Sequence, residues 1–237
     1  MRARDTGWKA VWTLAVAAFF VGGYFGVGLS AAPSAARELG TALDAAIPFV
    51  PWTVWIYLAV FPMAFLPLFV VRSRALFTRT MVAYAAVMAV SFVVFATYPV
   101  TSRGLRAGPA ALDPSAFSEW AVGVLYRLDP PVNLFPSLHL SVAGLAAFAA
   151  WEARRVYGAF AFAAAAAIGV SICTVKQHFV VDGVAGAALA VAAWAAFLRG
   201  HRADPGEPGT YGAPGVLAYL ALLAAMYAGF WVLFASS

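Results

Sequence analysis

Seven apolar runs, at approximately 10–30, 50–71, 80–99, 137–152, 156–175, 180–198 and 214–235, occupy most of this chain. A helix of about 20 residues crosses the hydrocarbon of a bilayer. The runs are close to that length, although the fourth and sixth are short or Ala-rich. Inside lipid, every backbone N–H and C=O must be satisfied within the protein, so only helices and closed barrels span a membrane. Continuous apolar runs of this length are helices. The expected fold is therefore an all-α integral membrane protein in one membrane domain, residues 1–237.

Composition closes off the alternatives. Hydrophobic residues make up 64% and charged residues 11% of the 237 positions. A soluble domain carries about 25% charge. The net charge of +5 is spread over loops between apolar runs, which is the signature of membrane topology and not of nucleic-acid binding. One cysteine, Cys173, excludes an internal disulfide and a thiolate metal cluster, and its apolar setting makes it a packing residue. The N-terminus imitates a signal peptide, with Arg2, Arg4 and Lys9 before an apolar run and small residues near Ala31 and Ala32. That run is too long for a signal's apolar region, so it reads as the first spanning helix.

Orientation follows from the basic residues. The side holding the N-terminus receives Arg2, Arg4, Lys9, Arg72, Arg74, Arg79, Arg154, Arg155, Arg199 and Arg202. The other side receives only Arg37, Arg103, Arg106, Arg127 and Lys176. The richer side is cytoplasmic. Tryptophans near both ends of the runs form an aromatic belt. Gly22, Gly26 and Gly28 suggest close packing of the first helix. Between Pro33 and Pro48, the stretch Ala35 to Leu39 with Leu43 and Asp44 predicts a short interfacial helix. From Ser115 to Leu128, the spacing of Phe117, Trp120, Ala121, Val124 and Leu128 predicts an amphipathic helix on the membrane surface.

The chemistry lies in two stretches, Asn133 to His139 and Lys176 to Asp182, which hold two of the three histidines. The histidines are 39 residues apart. Two helices of about 20 residues, each roughly 30 Å long, cross the bilayer out and back, returning His178 to the face where His139 began. His178 and Asp182 are four apart and would share one helix face. A carboxylate one turn away accepts the Nδ1–H of an imidazole and leaves Nε2 free to attack. Asp182 also lies in an apolar run, where an ionisable group is costly. Pro136 would open a helix with Ser137 and His139 in its first turn, a place suited to phosphate. Ser137 can donate to a phosphate oxygen, and His139 can protonate a leaving oxygen. Lys176, Arg103 and Arg106 lie at the same membrane edge and could balance phosphoryl charge. Arg127 is a weaker candidate for that task.

The order Pro136-Ser137-x-His139, then Ser171, His178 and Asp182, resembles the type 2 phosphatidic acid phosphatase superfamily over roughly residues 50–200. The resemblance implies a six-helix catalytic core, here with one extra C-terminal spanning helix, and a mechanism without metal or other cofactor. It makes His178 the nucleophile that forms a phosphohistidine, Asp182 its orienting carboxylate, His139 the general acid and Ser137 a phosphate ligand. Three departures stand out. The first motif, Lys-x6-Arg-Pro, is absent, with Tyr98-Pro99 followed by Arg103 and Arg106 in its place. Pro-Ser-Gly-His reads Pro-Ser-Leu-His, and the usual Ser-Arg reads Ser171-Ile172. Lys176 is the positional replacement for that arginine. Phe-Pro-Ser-Leu-His with Lys-Gln-His looks more like the branch near the inositol phosphorylceramide synthases. The implied activity is a lipid phosphate or diphosphate phosphatase, with a lipid phosphotransferase as the alternative. The implied partners are the bilayer and a membrane lipid phosphate. The expected location is a bacterial inner (plasma) membrane, with the N-terminus cytoplasmic and the site extracytoplasmic. The sequence sets no oligomeric state.

Overall fold

The computed structural model describes residues 3–30, 36–201 and 209–237, and it is helical throughout apart from isolated bridges. The helices are α1 (Ala3–Ser30), α2 (Ala42–Ala46), α3 (Val54–Leu58), α4 (Val60–Val70), α5 (Arg74–Thr97), α6 (Phe117–Leu128), α7 (Leu138–Ala153), α8 (Arg155–Thr174), α9 (Val180–Ala193) and α10 (Ala213–Ala235). Among the described residues six segments are long and apolar enough to span a membrane: 7–30, 51–70, 74–97, 155–174, 180–198 and 213–235. The helix that bears His139, α7, is shorter, at 16 residues. Arg2 and Arg202, counted for the cytoplasmic side, and Ala31 and Ala32 lie outside the described residues.

Proline chemistry breaks the second span. Pro62 has no N–H to offer the Leu58 carbonyl, and its ring would clash there, so the helix is interrupted at Ala59 between α3 and α4. The third span starts earlier than its apolar run, at Arg74. Ser73 caps it by accepting from the Leu76 N–H, and its first turns already bury Leu76 and Phe77. The last span, α10, buries only Gly215. An aromatic cluster attaches its far end: Trp55 of α3, Phe117 and Trp120 of α6, and Phe230, Trp231 and Phe234 of α10 pack in stacked and edge contacts.

Three local expectations change. The interfacial helix is only Ala42–Ala46, because the Thr41–Asp44 capping box starts it there. Residues before it run extended, with Arg37 N–H donating to the Pro99 carbonyl at 2.9 Å and Thr101 N–H to the Arg37 carbonyl at 2.8 Å; Ala35 lies outside the described residues. The surface helix α6 begins at Phe117, with Ala121, Val122 and Leu125 buried. In α1 the close contacts fall at Gly23 and Gly28 rather than at Gly22 and Gly26. A Cβ at Gly23 would lie 2.2 Å from the Phe92 ring, and one at Gly28 2.8 Å from Pro130, whereas Gly22 and Gly26 face open space.

Candidate active site

Helices α7 and α8 form an antiparallel hairpin whose only intervening residue is Arg154. The chains approach closely at Gly158, where a Cβ would lie 2.4 Å from Trp151 Cα. The hairpin carries the end of α8 back to the start of α7, as the 39-residue spacing predicts. There the two motif histidines meet: His139 Nδ1 and His178 Nε2 are 3.2 Å apart.

The backbone that aims His178 is not the expected helix face. Helix α8 ends with Lys176 in the left-handed region, φ 57°, a common helix stop. The Ile172 carbonyl then accepts from both Gln177 N–H and His178 N–H at 3.0 Å. His178 therefore precedes α9, which starts at Val180 after an extended Phe179. Asp182, in the first turn of α9, reaches back. Its Oδ2 accepts from Phe179 N–H at 2.9 Å and stands 3.4 Å from His178 Nδ1. The side chain thus caps α9 and faces the imidazole at once. Asp182 is 0% and His178 3% exposed. Asp182 Oδ1 is buried with no protein partner among the described residues.

The Pro-Ser-Leu-His stretch is locked to the same place. Helix α7 begins at Leu138, two residues after the Pro136 expected to open it, with Ser137 as its N-cap, accepting from Leu140 N–H at 3.4 Å. Ser137 Oγ lies 3.5 Å from His178 Nε2. Ser137 N–H donates to the Asp182 carbonyl at 2.9 Å, so the two motifs share a backbone bond. Ser141 Oγ lies 2.9 Å from the Ser137 carbonyl and 3.0 Å from that of Gly186. At Gly186 a Cβ would lie 2.3 Å from the Ser137 carbonyl oxygen, which is backbone and cannot swing away. Gly186→Ala should therefore push α9 from α7 and cost about 1–3 kcal/mol. Thermal unfolding in detergent measures this; an unchanged midpoint would show that the contact relaxes freely.

Two of the cations expected around the site, Lys176 and Arg106, have partners of their own. Lys176 Nζ donates to the Asp44 and Ile47 carbonyls at the end of α2. Asp44 Oδ1 in turn accepts from Val180 N–H at 2.7 Å, so α2 is fastened to the start of α9. Burial opposes the charge on Asp44, but hydrogen bonds from Thr41 and Val180 outweigh it and hold the carboxyl below its usual range. Arg106 donates through Nε to Gln177 Oε1 at 2.8 Å and to the Tyr126 and Asp129 carbonyls at 2.9 and 3.1 Å. It also stands 3.8 Å from Asp129 Oδ2. Arg103 is exposed in the same loop, and so is Arg127 at the end of α6.

Sequence reasoning missed the polar groups behind His139. Tyr57 of α3 places its hydroxyl 2.7 Å from His139 Nε2, with ring centroids 4.6 Å apart. Asp129 accepts from Tyr24 at 2.6 Å and from Gln177 Nε2 at 3.0 Å. Burial pushes the Asp129 carboxyl up, opposed by the Tyr24 hydrogen bond and the Arg106 charge. Burial likewise lowers the Arg106 guanidinium, opposed by Asp129. Nothing distinguished Tyr57 from eight other tyrosines. Asp129, set between Arg127 and Pro130 after an amphipathic run, offered a faint signal.

His139, Tyr57 and Asp129 stand at one end of an apolar cavity of about 450 Å³. Phe20, Phe61, Phe65, Met81, Met88 and Val142 line it, and it runs between α1, α4, α5 and α7 toward the opposite face. The site thus sets the two facing histidines at the end of an apolar space. Comparison with protein families finds a match to the model of the PAP2 superfamily over residues 35–196. Searches of curated proteins and of solved structures found no match.

Proposed function

Since the chain belongs to the PAP2 superfamily, a group of phosphatases and phosphotransferases, we propose that it removes phosphate from a lipid phosphate or diphosphate through a phosphohistidine. The observation that carries this reading is the facing pair His178 Nε2 and His139 Nδ1, 3.2 Å apart, at the head of an apolar cavity. His178 Nε2 attacks phosphorus while Asp182 holds the Nδ1–H. His139 gives its Nδ1 proton to the leaving oxygen. In the second step His139 takes a proton from water, the P–N bond breaks, and the electron pair returns to His178. Ser137 donates to a phosphate oxygen. Arg103, Arg106 and Lys176 supply positive charge around it, the last two from positions already pinned by protein oxygens.

A second reading is favoured by burial. With His178 and Asp182 almost wholly buried, water has poor access, and a lipid hydroxyl could attack the phosphohistidine instead. That is the phosphotransferase chemistry of the branch near the inositol phosphorylceramide synthases. The test is purified protein with a panel of lipid phosphates, with and without acceptor lipid. Free phosphate release supports hydrolysis; a new phospholipid without phosphate release supports transfer; neither product would sink both. The three catalytic side chains are all used as nucleophile, acid and orienter, so the reaction needs no divalent metal. Chelator-treated enzyme should keep its rate, and full loss restored by one metal would overturn the scheme.

The site faces the extracytoplasmic side of a bacterial inner membrane in this proposal, because ten of the fifteen basic residues fall on the other side. Gly108, exposed in the loop that holds Arg106, is a place to test it. A Gly108→Cys probe on a Cys173→Ala background should react with a membrane-impermeant thiol reagent on intact cells. Labelling only after lysis would reverse the orientation.

A further inference from the structure

Helix α1 is pinned near its two ends and keeps one face toward the apolar cavity. Low on the helix, Lys9 Nζ donates to the Val71 carbonyl and to the Tyr211 hydroxyl. High on it, the Tyr24 hydroxyl donates to Asp129 Oδ1 at 2.6 Å, and Asn133 Nδ2 donates to the Tyr24 carbonyl at 2.7 Å. Another side rests on α5, where Phe19 and Gly23 meet the Phe92 ring. Between the pins, Thr13, Val16, Ala17, Phe20, Tyr24 and Phe25 recur at helical spacing, and all six line the cavity.

We propose that this face of α1 selects the tail of the substrate. The hydrocarbon chain of the lipid phosphate lies along it, entering from the bilayer between α1 and α4. The inference rests on the catalytic reading above. Three observations carry it. His139, Tyr57 and Asp129 stand at one end of the cavity, so a chain lying in it sets its own head beside the catalytic pair. The depth fits one leaflet. From Tyr24 down to Thr13 the helix descends about 16 Å at 1.5 Å per residue, close to half of a hydrocarbon core of roughly 30 Å. Below Thr13, whose hydroxyl donates to the Lys9 carbonyl at 2.9 Å, the Lys9 ammonium sits between the Phe77 and Tyr211 rings and closes the floor. Finally, the cavity opens sideways. Val21 and Phe25 of α1 and Phe61 and Phe65 of α4 line it, yet they are 54, 37, 46 and 36% exposed.

The family match begins at residue 35, so this wall comes from a helix outside the matched core. Tail preference can therefore change without touching the histidines. Two small residues keep the passage wide. Ala17 of α1 and Ala64 of α4 both line the cavity. They lie seven residues below Tyr24 and Tyr57, respectively, or about 10 Å. A longer side chain at either place takes the volume that the middle of the tail would fill, and the tail loses its contacts there. Ala18, next to Ala17, is exposed and does not line the cavity, which makes it the control on the same helix.

The experiment compares hexyl phosphate, whose tail ends above that depth, with hexadecyl phosphate, on the full chain in detergent micelles. Ala17→Phe should lower kcat/KM on hexadecyl phosphate about 10-fold or more, in the range by which apolar pockets discriminate size, and leave hexyl phosphate unchanged. Ala18→Phe should change neither. Should Ala17→Phe fail to fold, Ala64→Phe makes the same test from the facing wall. An unmoved ratio between the two substrates overturns the proposal. So does an equal loss on both, which would mean that α1 acts on the fold and not on the tail. A second arm reads binding alone: hexadecyl phosphate with a mid-chain diazirine is photolysed on the wild-type protein and the adducts are mapped. Adducts on α1 from Val16 to Phe20 and on α4 around Ala64 support the wall, provided that Ala17→Phe reduces them. Adducts confined to α10 overturn it. Equal labelling by the matching diazirine alcohol, which lacks phosphate, also overturns it and makes the cavity a general lipid groove. If wild type turns over neither phosphate, the catalytic reading fails, while the photolabelling still judges the wall.

Discussion

Replacing His178 with alanine is expected to abolish turnover and to leave no phosphate on the protein after acid quench with a labelled substrate. The reason is geometric as well as chemical. His178 Nε2 is the one motif nitrogen with a carboxylate behind its ring, and Ser137 and His139 converge on it at 3.5 and 3.2 Å. A water in the space left by the ring could not form the covalent intermediate. The alanine should leave the fold intact, because the segment is held by backbone bonds from Gln177 and His178 N–H to the Ile172 carbonyl. Label retained on the alanine variant would move the nucleophile elsewhere.

Asp182→Asn should lower kcat by about 10⁴-fold with little loss of stability, the magnitude seen when an orienting carboxylate becomes an amide. The structure explains why the two effects separate. Asp182 Oδ2 does two things: it caps α9 through Phe179 N–H and it takes the His178 Nδ1–H. An asparagine can keep the cap with its amide oxygen. It has no second oxygen for the imidazole, and an NH₂ presented to Nδ1 favours the wrong tautomer. Asp182→Ala removes the cap as well and should cost about 1 kcal/mol more. Rate and unfolding midpoint, measured on both variants, decide the matter. Near-normal activity of the asparagine form would make Asp182 a cap only.

The spans were legible because lipid imposes one length and one backbone solution. The errors fell where local chemistry overrode the apolar pattern. Pro62 interrupted the second span, the Thr41–Asp44 box shortened the interfacial helix, and the Ser73 cap started the third span before its apolar run. The glycines of α1 show the same limit. Small residues announce a close approach, but which of them face Phe92 and Pro130 depends on how the helix is rotated, and α1 alone does not set that.

By itself, the sequence determined an all-α membrane protein, the family, and the pairing of His139 with His178. Each follows from patterns carried within short segments or from the length of one hairpin. Only the tertiary structure decided what stands around those histidines. Tyr57, Tyr24, Gln177, Asp129 and Arg106 come from five separate parts of the chain, and no spacing rule links them. It also decided that Lys176 and Arg106 are shared with protein oxygens. A buried charge must find partners wherever packing supplies them, so the identity of those partners is a property of the assembled fold.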